Sequence, residues 1–303
     1  MGQNVTFLFW NTCNKISSTE SELSKFLNSN EYDIIILAEA DKPLTSSFCT
    51  THDIEEVSLE YEENESLKQR IYKRKEQSEI TFSHLNNIGD NEEEERIIQE
   101  TISGVIIERI ITRISRVVLL ELKVKRNKYL LACVHFPSKK NQDEISQLQI
   151  AHNFKRYILE RSSKYEDKVI IVGDFNMNPF DAGMVEPHGF YSLNFHEIVK
   201  NKKIFQHSPE QMFYNPCWTL LGDNDKTKFK IPGTYYYVSS PSKKLYWHLF
   251  DQIVLSEKMI KNFSHSDLEI IENPLMINEM IKSKPKKNTI YSDHLPIKFT
   301  LNL

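Results

Sequence analysis

The stretch Val169-Ile170-Ile171-Val172, followed at once by Gly173-Asp174-Phe175-Asn176, limits what this chain can become more than any other. Four β-branched aliphatic residues in a row form a strand covered on both faces, because a half-exposed strand would alternate with polar residues. Such a strand needs structure packed above and below it. It ends on a carboxylate and an amide. Tyr291-Ser292-Asp293-His294-Leu295-Pro296 is a counterpart, a polar turn that leads into a second strand-like run. Polar groups at strand ends can converge on one cleft.

Four more runs behave alike. Val5–Trp10 reads as a strand and delivers Asn11; the apolar run 33–38 delivers Glu39; Tyr129–Val134 ends at His135; and Leu249–Leu255 carries Asp251 as its one acidic interruption. Between them the chain reads as helix and strand in alternation. Ser18–Leu27 has an N-cap candidate in Ser18 and apolar Leu23, Phe26 and Leu27 at helical spacing. Glu144–Leu159 repeats apolar residues at helical spacing, where a crossover between parallel strands is expected. Two further strands are expected at Val105–Ile107 and Val117–Leu122.

Asp, Glu, Asn and His at these stations suit a hard divalent cation and the activation of water against a phosphate ester. Mg2+ takes oxygen ligands and is held by one or two carboxylates together with substrate phosphate. Soft-metal chemistry is not indicated, since Cys13, Cys49, Cys133 and Cys217 are scattered and form no C-x-x-C pair. The phosphate-cradling G-x-x-x-x-G-K-[ST] and G-x-G-x-x-G loops do not occur.

The order Asn11, Glu39, His135, Asp174/Asn176, Asp251, Asp293/His294 resembles the endonuclease/exonuclease/phosphatase superfamily. That group is similar in architecture to deoxyribonuclease I and includes apurinic endonucleases, deadenylases, neutral sphingomyelinases and inositol-polyphosphate 5-phosphatases. The match runs from residue 11 to residue 294. It implies a four-layer α-β-β-α sandwich, two packed mixed sheets flanked by helices, over one domain spanning 1–303. It also implies roles. Glu39 would bind Mg2+, or Mn2+ in its place, with Asn11 and Asp293 completing the metal shell. Asp174 would orient or deprotonate the attacking water, with Asn176 donating to it or to the developing charge. His294 would hold the scissile phosphate, with Asp251 fixing its tautomer, and His135 would stabilise charge or protonate the leaving oxygen. Which of Asp174 and His294 is the base, and whether one metal or two is used, stay open at this level. A histidine at 135 looks more like the deoxyribonuclease, deadenylase and sphingomyelinase branches than the apurinic endonucleases, which typically have tyrosine there.

Two regions depart from a minimal pattern of this family. One, near 55–100, is dense in charge, including Glu92–Glu95, and reads as a solvated insertion, part of it a helix or flap. The other, 201–247, holds Trp218 and Tyr235-Tyr236-Tyr237. Those rings read either as a hairpin packed on the body or as a surface for stacking on bases. Lys200, Lys202, Lys203, Lys226, Lys228, Lys230, Lys243 and Lys244, with Lys282, Lys284, Lys286 and Lys287, could form a local basic rim. The net charge of -4 gives no global basic field. The expected reaction is therefore phosphodiester hydrolysis with nucleic acid as substrate. The alternatives are a phosphatase or phospholipase-C-like hydrolase of a small phosphoester, and a catalytically silent binding protein. A protein partner that activates or inhibits is compatible with any of these. No apolar run approaches a membrane span, and no basic-then-apolar leader precedes the first strand, so a cytoplasmic protein is expected. Met1-Gly2 with Thr6 fits a myristoylation pattern, but Thr6 falls inside the first expected strand, and the incidental reading is preferred.

Overall fold

The computed structural model describes residues 2–29, 32–40, 42–57, 69–76, 79–84, 117–138, 143–200, 211–222, 230–237, 246–282 and 290–303. The strands of the first half are β1 (Asn4–Asn11), β2 (Ile34–Ala38), β3 (Ile54–Glu56), β4 (Gln69–Arg74), β5 (Ile80–His84), β6 (Val117–Val124) and β7 (Asn127–His135). Those of the second are β8 (Val169–Asp174), β9 (Ser192–Leu193), β10 (Phe213–Tyr214), β11 (Tyr235–Tyr236), β12 (Trp247–His248), β13 (Asp251–Ser256), β14 (Glu269–Ile270) and β15 (Ile297–Asn302). The helices are α1 (Ile16–Ser29), α2 (Ser46–Thr51), α3 (Glu144–Ser162), α4 (Ala182–Val185), α5 (His196–Lys200) and α6 (Pro274–Lys282).

One sheet runs β14-β15-β1-β2-β4-β3 and the other β5-β6-β7-β8-β13-β10-β9. Both are mixed, with β1–β2 parallel in the first and β7–β8 and β9–β10 parallel in the second. Strand side chains alternate between faces, and the alternation sorts each strand into two layers. Phe7 and Phe9 of β1 join Leu131, Cys133, Ile170, Val172, Ile253 and Leu255 in a core between the sheets. Leu8 and Trp10 point the other way and pack with Leu23 and Phe26 of α1 and Met276 and Met280 of α6. Behind the second sheet, Leu130, Ala132 and Ile171 pack on Ile150, Phe154 and Ile158 of α3. The layers are therefore helix, sheet, sheet, helix, as the resemblance implied. No helix among the described residues is long and apolar enough to cross a membrane.

The helix over 144–159 is present and extends to Ser162, with Asp143 as its N-cap accepting from the Ser146 N–H. Ser18 is not an N-cap. It lies inside α1, because Cys13 and Asn14, both with positive φ, turn the chain directly after β1 and start the helix earlier. Its hydroxyl instead meets the carbonyls of Lys15 and Ile290 at 3.0 and 2.7 Å. Within the charged region near 55–100, the described residues form the end of β3, β4 and β5, and the helix or flap expected there falls on residues outside the described ones. Ile71 and Tyr72 bury while Arg70 and Lys73 pair with Glu56 and Glu55 of the adjoining β3, so its charges sit on a sheet edge. Val105–Ile107 and Glu92–Glu95 lie outside the described residues, as do all the lysines of the expected basic rim except Lys200, Lys230 and Lys282.

Phe7 and Phe299 face each other across the β1–β15 pair, their rings 4.8 Å apart and nearly parallel, with both side chains fully buried. Removing a buried phenylalanine costs about 3–5 kcal/mol. Phe7→Ala is expected to lower unfolding free energy by that amount in urea titrations followed by circular dichroism, with the m-value unchanged.

Candidate active site

The same alternation that fills the inter-sheet core sets its polar end. Asn11 continues the inward series Val5, Phe7, Phe9; His135 continues Leu131, Cys133; Asp174 continues Ile170, Val172; and Asp251 begins the series Ile253, Leu255. Each is the terminal inward position of its strand, the last of β1, β7 and β8 and the first of the antiparallel β13. His135 and Asp251 are also the direct cross-strand partners of Asp174, so imidazole, carboxylate and carboxylate form one row across β7, β8 and β13. The spacing needs Gly173. A Cβ there would lie 1.9 Å from the Val134 carbonyl oxygen, so only glycine lets β7 and β8 approach.

Glu39 and Asn176 enter differently. Glu39 follows β2 with φ 48°, and Asn176 follows β8 with φ 51°. These left-handed turns redirect chains that would otherwise run on extended. The peptide of Glu39 is held as the turn forms, its carbonyl accepting the Asn14 N–H and the Thr12 hydroxyl, each at 2.8 Å. Asn176 donates its backbone N–H to Asp174 Oδ1 at 2.8 Å and its side-chain amide to the Phe136 carbonyl at 2.8 Å.

His294 and Asp293 come from the loop before β15, and the loop is pinned at several points. Ser292 donates its hydroxyl to the Asn11 carbonyl at 2.6 Å and accepts the His294 N–H at 3.0 Å. Trp10 Nε1 donates to the His294 carbonyl at 2.8 Å, and the backbone of Tyr235 bridges to His294.

A continuous network results. Asn11 Nδ2 donates to Asp174 Oδ2 at 2.9 Å and approaches Glu39 Oε1 at 3.4 Å. Its Oδ1 accepts the Cys13 N–H at 3.0 Å, which settles which end of the amide faces the carboxylates. His135 Nε2 lies 3.2 Å from Glu39 Oε1 and 3.9 Å from Asp174 Oδ2. His294 Nδ1 is 2.8 Å from Asp251 Oδ2, and its Nε2 is 3.8 Å from Asp174 Oδ2. Asn11, Glu39, His135, Asp174, Asp251 and His294 are thus brought together. Asp293 stands near Cys13 and His294, and its carboxylate helps to raise the pKa of both. Asn176 holds Asp174 through its backbone.

The electrostatics follow from burial and pairing. Burial works against the Glu39 carboxylate, but the hydrogen bond and charge of His135, the charge of His294 and the Asn11 amide outweigh it and hold Glu39 at about 2. Burial likewise opposes a charged His294, and the carboxylates of Asp251, Asp174 and Asp293 reverse this, raising it to about 10. Asp174 is raised by burial and by Asp251, with His294 and His135 pulling the other way.

The donor set fits a hard divalent cation. Carboxylate oxygens of Glu39, Asp174 and Asp251 lie beside the imidazoles of His135 and His294, and Asp251 Oδ1 is buried without a hydrogen-bond partner among the described residues. One donor atom from each of Asp174, Asp251 and His294 lies within 4.8 Å of the other two. Nδ1 of His294 is already engaged by Asp251, however. Glu39, whose side chain is 29% exposed, is the carboxylate at the mouth.

Sequence reasoning passed over Ser292, Thr234, Cys13 and Trp10. Ser292 had a signal, since serine two residues before a backbone N–H favours the turn seen here. Thr234 is fully buried and its Oγ1 accepts the Asp251 N–H at 3.3 Å, a contact that no local pattern announces. Gly173→Ala tests the packing of the row: forcing a methyl against the Val134 carbonyl is expected to cost about 1–3 kcal/mol of stability in denaturant titrations.

No protein-family model matches the chain. No curated protein matches it either. Solved structures do. The catalytic domain of human nocturnin, with a bound sulfate, aligns at TM-score 0.53 and 12% identity over 99% of this chain and 96% of that one. The 3' phosphatase NExo from Neisseria, bound to a product DNA hairpin, aligns at 0.53 and 14% identity over 99% and 100%. An endonuclease/exonuclease/phosphatase family protein from Bacteroides thetaiotaomicron aligns at 0.51 and 11% identity over 99% and 95%. Nearly full coverage in both directions, with two mixed sheets between helices, identifies the architecture: this chain has the endonuclease/exonuclease/phosphatase fold.

Proposed function

We propose that this chain is a Mg2+-dependent phosphodiester hydrolase that cleaves nucleic acid. The observation that carries the reading is the row His135, Asp174, Asp251 with His294 seated on Asp251 and Glu39 at the mouth. Further support comes from the fold, which this chain shares with a 3' phosphatase solved on DNA.

Glu39 and Asp293, with Asn11 setting the spacing of the carboxylates, would hold the cation. Bound there, the ion supplies Lewis-acid polarisation of a phosphoryl oxygen and lowers the pKa of water. The chain's own residues do the rest. Asp174, tethered by Asn11 and the Asn176 N–H, presents Oδ2 as the acceptor for a water proton. Asp251 fixes the His294 ring through Nδ1, leaving Nε2 directed at the same cleft to donate to a phosphate oxygen. His135, 3.2 Å from Glu39, is placed to stabilise charge on the phosphate or to protonate the leaving oxygen.

The test is hydrolysis of single-stranded DNA, duplex DNA, RNA, an inositol phosphate and sphingomyelin with Mg2+ or Mn2+. Cleavage of nucleic acid is expected, lost on chelation and restored by Mg2+. Asp174→Asn and His294→Gln are each expected to lower kcat by about 10²–10⁴-fold while the fold persists by circular dichroism. Turnover confined to the inositol phosphate or sphingomyelin would replace nucleic acid as substrate. Metal-independent cleavage, or full activity in both variants, would end the proposal.

A further inference from the structure

The dipeptide Ile290-Tyr291 stands directly before Ser292, Asp293 and His294, and side chains from α6 and from the start of α1 hold its backbone. Glu279 of α6 accepts the Ile290 N–H at 3.1 Å and the Tyr291 N–H at 3.2 Å on one oxygen, Oε2. The Ser18 hydroxyl meets the Ile290 carbonyl at 2.7 Å, and Lys15 Nζ donates to the Tyr291 carbonyl at 2.8 Å. Both N–H and both C=O groups of the dipeptide are thus met by side chains. The Ile290 side chain is 66% exposed, so apolar burial does not fix the chain at that point. Hydrogen bonds do.

The two jaws of this clamp are tied to the site and to each other. Lys15 closes the turn that leaves β1 after Asn11, its backbone N–H reaching the Thr12 carbonyl at 3.0 Å. The same turn holds the Glu39 carbonyl through the Asn14 N–H and the Thr12 hydroxyl. On the other jaw, α6 buries Met276 and Met280 in the core that also holds Leu8, Trp10 and Leu23. Asn273 caps α6, its Oδ1 accepting the Leu275 N–H at 2.9 Å and its amide donating to the buried Glu22 carboxylate of α1. A buried amide–carboxylate bond therefore joins the two helices that present Ser18 and Glu279.

We infer that Glu279, acting with Lys15 and Ser18, is a positioning residue for hydrolysis: it fixes where the loop delivers Asp293 and His294, at a point that the 12–15 turn sets relative to Glu39. The inference rests on the hydrolase reading above and adds a residue that acts through the loop rather than on the phosphate. Ser292, Trp10 and Thr234 hold the loop at Ser292, His294 and Leu295. The clamp holds its entry, so Asp293 spans two secured points. Hydrogen bonds to a carboxylate are stronger than those to a neutral acceptor, which suits an anchor at a partly exposed position. A displacement of about 1 Å from productive geometry costs on the order of 100-fold in rate.

The experiment compares the unsubstituted protein with Glu279→Ala and Glu279→Gln. Amide hydrogen exchange of the 290–296 segment reads the clamp, and hydrolysis of bis-p-nitrophenyl phosphate with Mg2+ reads the chemistry. Alanine is a strong helix former, so Glu279→Ala is expected to fold with an unchanged circular dichroism spectrum. Its exchange is expected to quicken about tenfold or more, as loss of hydrogen bonds to a charged acceptor implies. Its kcat is expected to fall about 10- to 100-fold with KM unchanged. Glu279→Gln keeps one oxygen that can accept both N–H groups, and it is expected to recover both readouts. Unchanged exchange in Glu279→Ala would overturn the clamp. Faster exchange with kcat intact, or a Gln variant as impaired as the Ala variant, would overturn its positioning role. An unsubstituted protein that cleaves no diester sinks the hydrolase reading, while exchange that quickens with Ala and recovers with Gln still supports the clamp.

Discussion

Asp174 and Asp251 are direct cross-strand partners, and both are buried. Like charges placed opposite each other in a sheet are destabilising, and burial removes the water that would screen them. The rest of the site is arranged around that conflict. His294 approaches Asp251 at 2.8 Å, and Asp174 takes the Asn11 amide on one oxygen and the Asn176 N–H on the other. Stripping a partner from a buried charge pair costs about 3–5 kcal/mol, so these groups must be assembled together. Asn11 belongs to one sheet and Asp174 to the other. The acidic row is therefore stabilised only when the two sheets are docked, which couples site formation to folding.

Much of this was legible in the sequence, for one physical reason. A strand buried on both faces still keeps its period of two. The runs ending in Asn11, His135 and Asp174 therefore announce both a sheet interior and the side on which the terminal polar residue falls. The layers were expected from the resemblance carried by the ordered stations, and this alternation accounts for the row. It failed where the backbone turned locally. Glu39 lies at the wrong parity for the inner face and reaches it only through a left-handed turn. Ser18 looked like a cap because serine precedes a helical repeat, and the tight turn at Cys13–Asn14 had already begun the helix. In the described part of the charged region near 55–100, β3 and β4 pair Glu56 with Arg70 and Glu55 with Lys73 across strands, a pairing that charge density alone does not announce. Long-range contacts such as Thr234 with Asp251 leave no mark on either segment.

Neither outer helix layer is mere packaging. Trp10 belongs to the helix-facing series of β1, stacks edge-on against Phe26 of α1 at 5.8 Å, and still donates its indole N–H to the His294 carbonyl. On the opposite side, Gln147 of α3 is buried and donates to the Asn176 carbonyl at 3.1 Å. One buried polar bond thus reaches the turn of His294 from the helix-facing side of β1, and another reaches the turn of Asn176 from α3. A buried donor left unpaired costs about 1–3 kcal/mol. Sliding α3 relative to its sheet would therefore break the Gln147 bond at the same time as it disturbed apolar packing. The turns that carry His294 and Asn176 are consequently set by the register of the layers, and their precision comes from the whole sandwich rather than from the loops themselves.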